Sequence, residues 1–482
     1  MADVTADSPS QVDPGGGGEL KRAITGKLLF AYVLGDVLGS GIYVLIGLVA
    51  GAVGGAFWIA FAVGVTIATI TGLAYAELVT KYPQAAGAAL YVNKAFGNRP
   101  LTFLITVSML SASFAASGSL ATGFAAYFKE AFKDLGNLPP ALLVTIAFII
   151  FLTIVNFIGI TESVVVNMVM TVVEVTGLVI VMIIGIVYVA QGDADFGTLV
   201  EFQTKDSALL GVIAGVALAF FAMTGFENAA NVAEETINPA KTFPRALVGG
   251  MITAGVIYVL VAFSAALTVP IGTLQKSDAA LLEVVATGIL PPPVGFMTIL
   301  FACIAMVAIT NTTLVSVVTQ SRILYGMSKE DVVPGIFGKI HAARRSPWFS
   351  LVFSAIVVSA LLVSGWLLNR AGVGVDVVAR LATVTVIFTL FIYALVIISA
   401  LKLRGHDEDQ DTYIANTPLL YVGIVGNLVL LSYVIYDDPA SLYWVAALLA
   451  LGVVLFLLEH FFGTRNRPSG RGRGDRVVGK EG

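Results

Sequence analysis

The sequence predicts an all-α membrane protein of twelve transmembrane helices, built as a five-plus-five inverted repeat with two accessory helices. Three observations carry that prediction. Of 482 residues, 57% are hydrophobic and 12% charged, against roughly 25% charge in an ordinary soluble domain, and the mean hydropathy is +0.92. Apolar runs of about 20 residues, enough to cross roughly 30 Å of hydrocarbon at about 1.5 Å per residue, recur twelve times. The first and sixth of these runs, five apart, are interrupted at matching points.

The first half holds Leu28–Gly51 with its glycine cluster, then Phe57–Ala76, Leu101–Phe128, Ala141–Ile160 and Val164–Ala190. Leu209–Val232, with the second interruption, opens the other half, followed by Ala246–Pro270, Val294–Gln320, Leu351–Leu368 and Leu381–Leu401. An odd number of crossings per half inverts the second half against the first. Pro418–Tyr436 and Leu442–Leu458 stand outside the repeat. The expected organisation is a disordered tail over 1–22, an inverted-repeat core over 23–401, accessory helices eleven and twelve over 402–463, and a disordered basic tail over 464–482.

The first 19 residues are polar and glycine-rich, without a basic n-region or a short cleavable apolar core, so they read as a cytoplasmic tail and not as a signal peptide. Net charge, −4, matters less than where the charges fall. Of 27 Lys and Arg residues, only Lys129, Lys133, Lys205, Lys276 and Arg370 lie in loops opposite the termini, and Arg380 lies at a span end. The positive-inside rule therefore puts both termini in the cytoplasm, and the plasma membrane is the expected location.

A single cysteine, Cys303, excludes an intrachain disulfide. His341, His406 and His460 fall in loops or at a span end, in no metal-binding spacing, and no G-x-x-x-x-G-K-[ST] loop is present. Neither a metalloenzyme nor an ATP-driven pump is expected, and no enzyme activity or cofactor. The Arg/Gly-rich segment from Gly463 to Arg476 reads as a solvated stretch near anionic headgroups of membrane lipids, not as a nucleic-acid contact.

The interruptions are Ala31-Tyr-Val-Leu-Gly-Asp-Val-Leu-Gly-Ser-Gly-Ile-Tyr43 and Phe220-Phe-Ala-Met-Thr-Gly-Phe-Glu-Asn228. In lipid an unpaired backbone N–H or C=O costs several kcal/mol, so a helix breaks only where a cavity or ligand takes up the freed groups. Paired broken helices point to a site near the bilayer midplane. A helix restarting near Ser40 offers backbone amides and a positive dipole end to an anion such as a carboxylate. The carbonyls left free around Val37 and from Phe221 to Thr224 suit an ammonium group. Amides for a carboxylate and carbonyls for an amine complement an α-amino acid. The alternative is that these glycines only allow close helix packing.

Three acids and no Lys or Arg lie within the span cores: Asp36, Glu174 and Glu227. An ionised Asp at mid-membrane costs roughly 2.5–3.5 kcal/mol on insertion scales. Protonation, a bound cation, a cationic substrate, or capping of the broken ends would offset that cost. An acid that shuttles between protonated and ionised forms is a natural coupling element.

The two interruptions, with Tyr75-Ala-Glu-Leu78, Tyr82-Pro83 and Gly87, the stretch from Asn231 to Ala246, and that from Ser321 to Pro334, resemble the amino acid-polyamine-organocation superfamily. These blocks reach from residue 28 to about residue 400. The resemblance implies the fold of the sodium-coupled leucine transporter and a secondary amino acid permease working by alternating access. It assigns the carboxylate to amides near Ser40, Gly41 and Ile42 and the amine to carbonyls of Val37, Phe221 and Thr224. Gly225 and Glu227 then flank the site. The ending Ile42-Tyr-Val-Leu-Ile-Gly47 leans toward the cationic amino acid transporter-like branch, which makes a cationic amino acid or a polyamine a candidate substrate. Proton-coupled members similar to that branch carry a lysine in span five where this chain, reading from Asn167, has Glu174. That acid could carry a proton itself, or pair with a cation such as sodium against Thr312, Thr313 and Ser316 of span eight, unless those hydroxyls bond back to their own helix. Proton-coupled transport is the leading expectation. Obligate exchange of amino acids or amines, and a receptor or channel reusing the fold, are the alternatives.

Overall fold

The computed structural model describes residues 24–39, 41–83, 87–158, 164–202, 207–233, 236–342, 344, 346–406 and 412–462. Both expected tails, and Ser40, lie outside the described residues. Span one is two helices, α1 (Gly26–Leu38) and α2 (Gly41–Val53), meeting at 42°. Spans two to five are α3 (Trp58–Lys81), α5 (Arg99–Ala131), α6 (Ala141–Ile158) and α7 (Val164–Gln191), with a short helix α4 (Gly87–Phe96) between the second and third. Span six is α8 (Ala208–Ala222), which unwinds and continues as a 3-10 helix, Phe226–Val232.

Spans seven to ten are α9 (Pro239–Thr268), α12 (Val294–Lys329), α13 (Trp348–Arg370) and α14 (Val377–Lys402), with short helices α10 (Ile271–Lys276) and α11 (Ala280–Ala286) before α12. The accessory helices are α15 (Thr417–Asp437) and α16 (Ser441–Phe462). Among the described residues, eleven helices are long and apolar enough to cross a membrane, and the bent α1–α2 pair makes a twelfth. The all-helical fold and its paired breaks agree with the sequence reading. The helices α4, α10 and α11 were not expected; each is too short to have registered as a span.

Side chains close the exposed helix starts. Asn98, Ser207 and Asp376 accept the N–H of Leu101, Leu210 and Ala379 at 3.2, 3.1 and 3.1 Å, each satisfying one of the donors a first turn leaves over. The helices gather in two groups. Helices α1 and α3 pack on α9, α8 packs on α3 and α2 on α8, while α5, α6, α12 and α13 form the second group. Between them runs α14, against α5 on one side and α3 and α8 on the other. Both broken spans belong to the first group, and Ile237 N–H bonds Ile24 O at 2.9 Å to tie their terminal-side ends together.

Helix α15 lies across α3 and α14. Asn427 Nδ2 donates to Thr71 Oγ1 at 3.1 Å within that contact. At the end of α14, Arg404 clamps Glu77 of α3 through two hydrogen bonds, Nε to Oε1 at 2.9 Å and Nη2 to Oε2 at 2.8 Å. Glu77 Oε2 also accepts Ala415 N–H at 2.9 Å, and Arg404 reaches Ala415 O and Thr417 Oγ1, both at 2.6 Å.

Candidate functional site

The two breaks meet backbone to backbone. A β-carbon on Gly41 would lie 2.5 Å from Ala222 Cα, and one on Gly225 would lie 2.6 Å from the carbonyl oxygen of Asp36. Gly225 also sits at φ 117°, a conformation that side-chain-bearing residues adopt only under strain. The first contact bears on the two readings of the glycines: Gly41 does allow close helix packing, and the packing it allows is between the two broken spans. A substitution there disturbs that contact as well as any ligand.

At this junction α1 and α8 each end with a C-terminal, carbonyl-bearing face, and α2 begins with its N-terminus. The carbonyls are not bare. Tyr258 of α9, fully buried, directs its hydroxyl at Val37 O, 2.5 Å away, and at Ala222 O, 3.1 Å away. Phe221 O accepts both the N–H and the hydroxyl of Thr224, at 3.2 and 2.8 Å. A carbonyl has two lone pairs, so Val37 O and Ala222 O each keep acceptor capacity while Phe221 O has both sites engaged.

Glu227 is braced from two sides. Its Oε2 accepts the Gly225 N–H at 2.8 Å and the Tyr393 hydroxyl of α14 at 2.6 Å. The carboxylate thereby supplies an acceptor to the unwound segment and links it to span ten. Asp36 is joined by the side chain of Asn228, while its Oδ2 is buried without a hydrogen-bond partner. Below them Tyr75, Phe226 and Tyr393 form an aromatic cluster, with ring centroids 5.6, 6.0 and 5.1 Å apart.

A cavity of about 120 Å³ opens beside the junction. Of the residues singled out in the sequence, Val37, Gly41, Phe221, Thr224, Gly225 and Glu227 line it. So do Asp36, Thr312 and Ser316. Ile42 is fully buried and does not reach it, and neither do Thr313 or Glu174. Thr313 bonds back to Ile309 O at 2.7 Å and Thr312 reaches Ala308 O at 3.5 Å, which is the bonding to their own helix that was the alternative for them.

Glu174 is fully buried, and neither carboxyl oxygen closes a hydrogen bond, although the Asn311 side chain of α12 stands beside it. The Tyr43 hydroxyl donates to the main-chain carbonyl of Glu174 at 2.6 Å. Among the described residues no group of three or more His, Cys, Asp or Glu side chains is arranged to hold a metal ion.

Sequence reasoning gave no role to Tyr258, Asn228 or Tyr393, and of the cavity walls on α5, α12 and α14 it named only Thr312 and Ser316. Asn228 could have been found from its place beside Glu227. The others sit in unbroken helices, where a tyrosine or threonine carries no local mark of facing a cavity.

The comparisons with known proteins agree with this geometry. A family model described as amino acid permease matches residues 25–465. The branched-chain amino acid permease of Bacillus subtilis is 25% identical over 406 residues, covering 81% of this chain and 82% of that protein. The b(0,+)-type amino acid transporter 1 of Mus musculus is 26% identical over 454 residues, covering 91% and 88%. The chloroplastic cationic amino acid transporter 9 of Arabidopsis thaliana is 27% identical over 326 residues, covering 64% and 55%. Among solved structures, a mutant of the manganese transporter of Eremococcus coleocola superposes with a TM-score of 0.60 at 13% identity, over 91% of this chain and 94% of that one, a likeness of fold alone. With the broken spans joined at one cavity and the family match running almost from end to end, this chain belongs to the amino acid permease family of the amino acid-polyamine-organocation superfamily.

Proposed function

We propose that this protein carries amino acids across the plasma membrane as a secondary permease, with both termini in the cytoplasm. The observation that carries the reading is the meeting of three helix ends at one cavity: the N-terminus of α2 against the C-termini of α1 and α8. The amide end of α2, which reaches the cavity at Gly41, receives the carboxylate, and the spare lone pairs of Val37 O and Ala222 O receive the ammonium. Thr224 and Gly225 shape the unwound edge, and Glu227 holds that edge to α14. The helices bearing the breaks move as a group against the second group, exposing the cavity to each side in turn.

Uptake of labelled amino acids into proteoliposomes tests the reading. Saturable uptake, competed by unlabelled substrate, is the expected result. If no amino acid enters, exchanges or stabilises the purified protein against heat, where a ligand raises stability by RT ln(1 + [L]/Kd), the proposal is wrong.

For coupling, the same reading puts a proton on Glu174, with Asp36, whose Oδ2 has no partner, as the neighbouring acceptor. A buried carboxyl group in spans whose cores carry no Lys or Arg is costly in ionised form, which favours a site whose occupancy changes during transport. Accumulation driven by an inward proton gradient at zero sodium gradient supports this. A strict requirement for sodium points to a cation against Thr312 and Ser316, and counterflow without net uptake points to obligate exchange.

A further inference from the structure

The cavity has two chemically unlike ends. Asp36 and Glu227, the acids that reach it, both lie at the broken-helix junction. Apart from Tyr75 of α3, the remaining walls are three helical stripes, spaced three or four residues apart so that each presents one face. Met109 and Ala116 represent the stripe on α5, Val315 and Thr319 that on α12, and Thr389 and Ile392 that on α14. No Asp, Glu, Lys, Arg or His from these helices lines the cavity.

Most hydroxyls along the stripes are committed, those of Ser316 and Thr319 on α12 excepted. Thr385 donates to Leu381 O at 2.9 Å, Thr389 to Thr385 O at 2.8 Å, and Ser113 to Ser316 O at 3.0 Å. A hydroxyl has one hydrogen to give, so these residues offer the cavity methyl and methylene groups and lone pairs instead of donors. At the other end, Glu227 Oε2 is engaged by Tyr393 and Gly225, and Asp36 is joined by Asn228 while its Oδ2 stays without a partner, so the acid left to meet a cation lies at the junction, where the α-ammonium sits. The α-ammonium and α-carboxylate of a bound amino acid are met at the junction. Its side chain is then directed at walls without charge.

We propose that this wall selects uncharged, aliphatic amino acids, such as leucine, valine and alanine, and rejects lysine, arginine and polyamines. This inference rests on the amino acid permease reading and narrows it, against the cationic branch toward which the first-helix block leans. An aliphatic side chain gains by leaving water for Met109, Val315 and Ile392. A lysine or arginine head would surrender its hydration to a surface holding no carboxylate. Thr319, midway along the α12 stripe, is the position where one added charge would reverse that choice.

Binding of all twenty amino acids, agmatine and putrescine to the purified full-length protein, read as thermal shift and as competition against labelled uptake, tests the proposal. Aliphatic amino acids should bind at least tenfold more tightly than lysine or arginine. Thr319→Asp, or Ala116→Asp on the facing stripe, should invert that order by at least tenfold. Tightest binding of a charged, amide-bearing or aromatic amino acid, or of a polyamine, by the unaltered protein overturns the selectivity while leaving transport intact. Binding of no amino acid at all overturns the permease reading itself. Because the unaltered protein alone decides between these results, failure of either variant to fold leaves the test in force.

Discussion

At the scale of single residues, the site depends on groups that close broken backbone. Tyr258 is the clearest: its hydroxyl lies within hydrogen-bond reach of the carbonyl ends of both broken helices, Val37 O at 2.5 Å and Ala222 O at 3.1 Å, and its single hydrogen is shared between them. Tyr258→Phe leaves both carbonyls without that donor in a buried place, a loss of about 1–3 kcal/mol. We expect a lower melting temperature together with weaker amino acid binding; an unchanged value of both would remove Tyr258 from the junction. Glu174 makes a different prediction. A group couples a proton gradient only if its proton affinity differs between the two facing states. Glu174→Gln fixes the neutral form, so the variant should still bind and exchange substrate but lose accumulation driven by an inward pH gradient and lose the pH dependence of exchange. Gradient-driven accumulation at the normal level in this variant would return the coupling role to Asp36 or Glu227. These residues differ in how visible they were. Asp36, Glu174 and Glu227 stand out as acids in apolar runs, whereas Tyr258 is one aromatic among many in lipid-length helices.

At the scale of elements, the breaks were legible because glycine clusters and a buried acid are costly in a membrane helix, so a sequence keeps them there only against some compensating contact. The walls of the cavity were legible only at Thr312 and Ser316 of α12. Each is a stripe on an intact helix that carries Ser and Thr at several turns, and because such hydroxyls also bond back to their own helix, as Thr385 and Thr389 do, a hydroxyl does not by itself mark which face looks inward. The clamp between α3 and the end of α14 was half legible, with Glu77 and Arg404 both near span ends but 327 residues apart in pairing. Glu77 has 3% and Arg404 21% of its side chain exposed. Removing one partner strands a largely buried charge. Arg404→Met should therefore cost on the order of 3 kcal/mol, and Glu77→Leu with Arg404→Met less than Arg404→Met alone. Comparing thermal midpoints of the two single variants and the double variant checks this. Additive losses would show that the pair does not act as a unit.

At the scale of the whole molecule, the orientation proposed from basic residues is testable by labelling. In a Cys303→Ser background, cysteines at Ser10 and Ser469 should resist a membrane-impermeant thiol reagent in intact cells. One at Asp278, an exposed position between α10 and α11, should react. Labelling of either terminal cysteine from outside would overturn the assignment of both termini to the cytoplasm. The span count, the paired breaks and the family were settled by the sequence itself, because lipid demands long apolar runs and penalises every interruption, and such one-dimensional constraints are written directly into composition and spacing. Which carbonyl is already taken, which acid is braced, and which helix faces line the cavity were decided only by the tertiary structure. Those properties belong to pairs of residues up to 221 positions apart, as with Val37 and Tyr258, and a contact between distant turns of two helices leaves no periodic trace in either one.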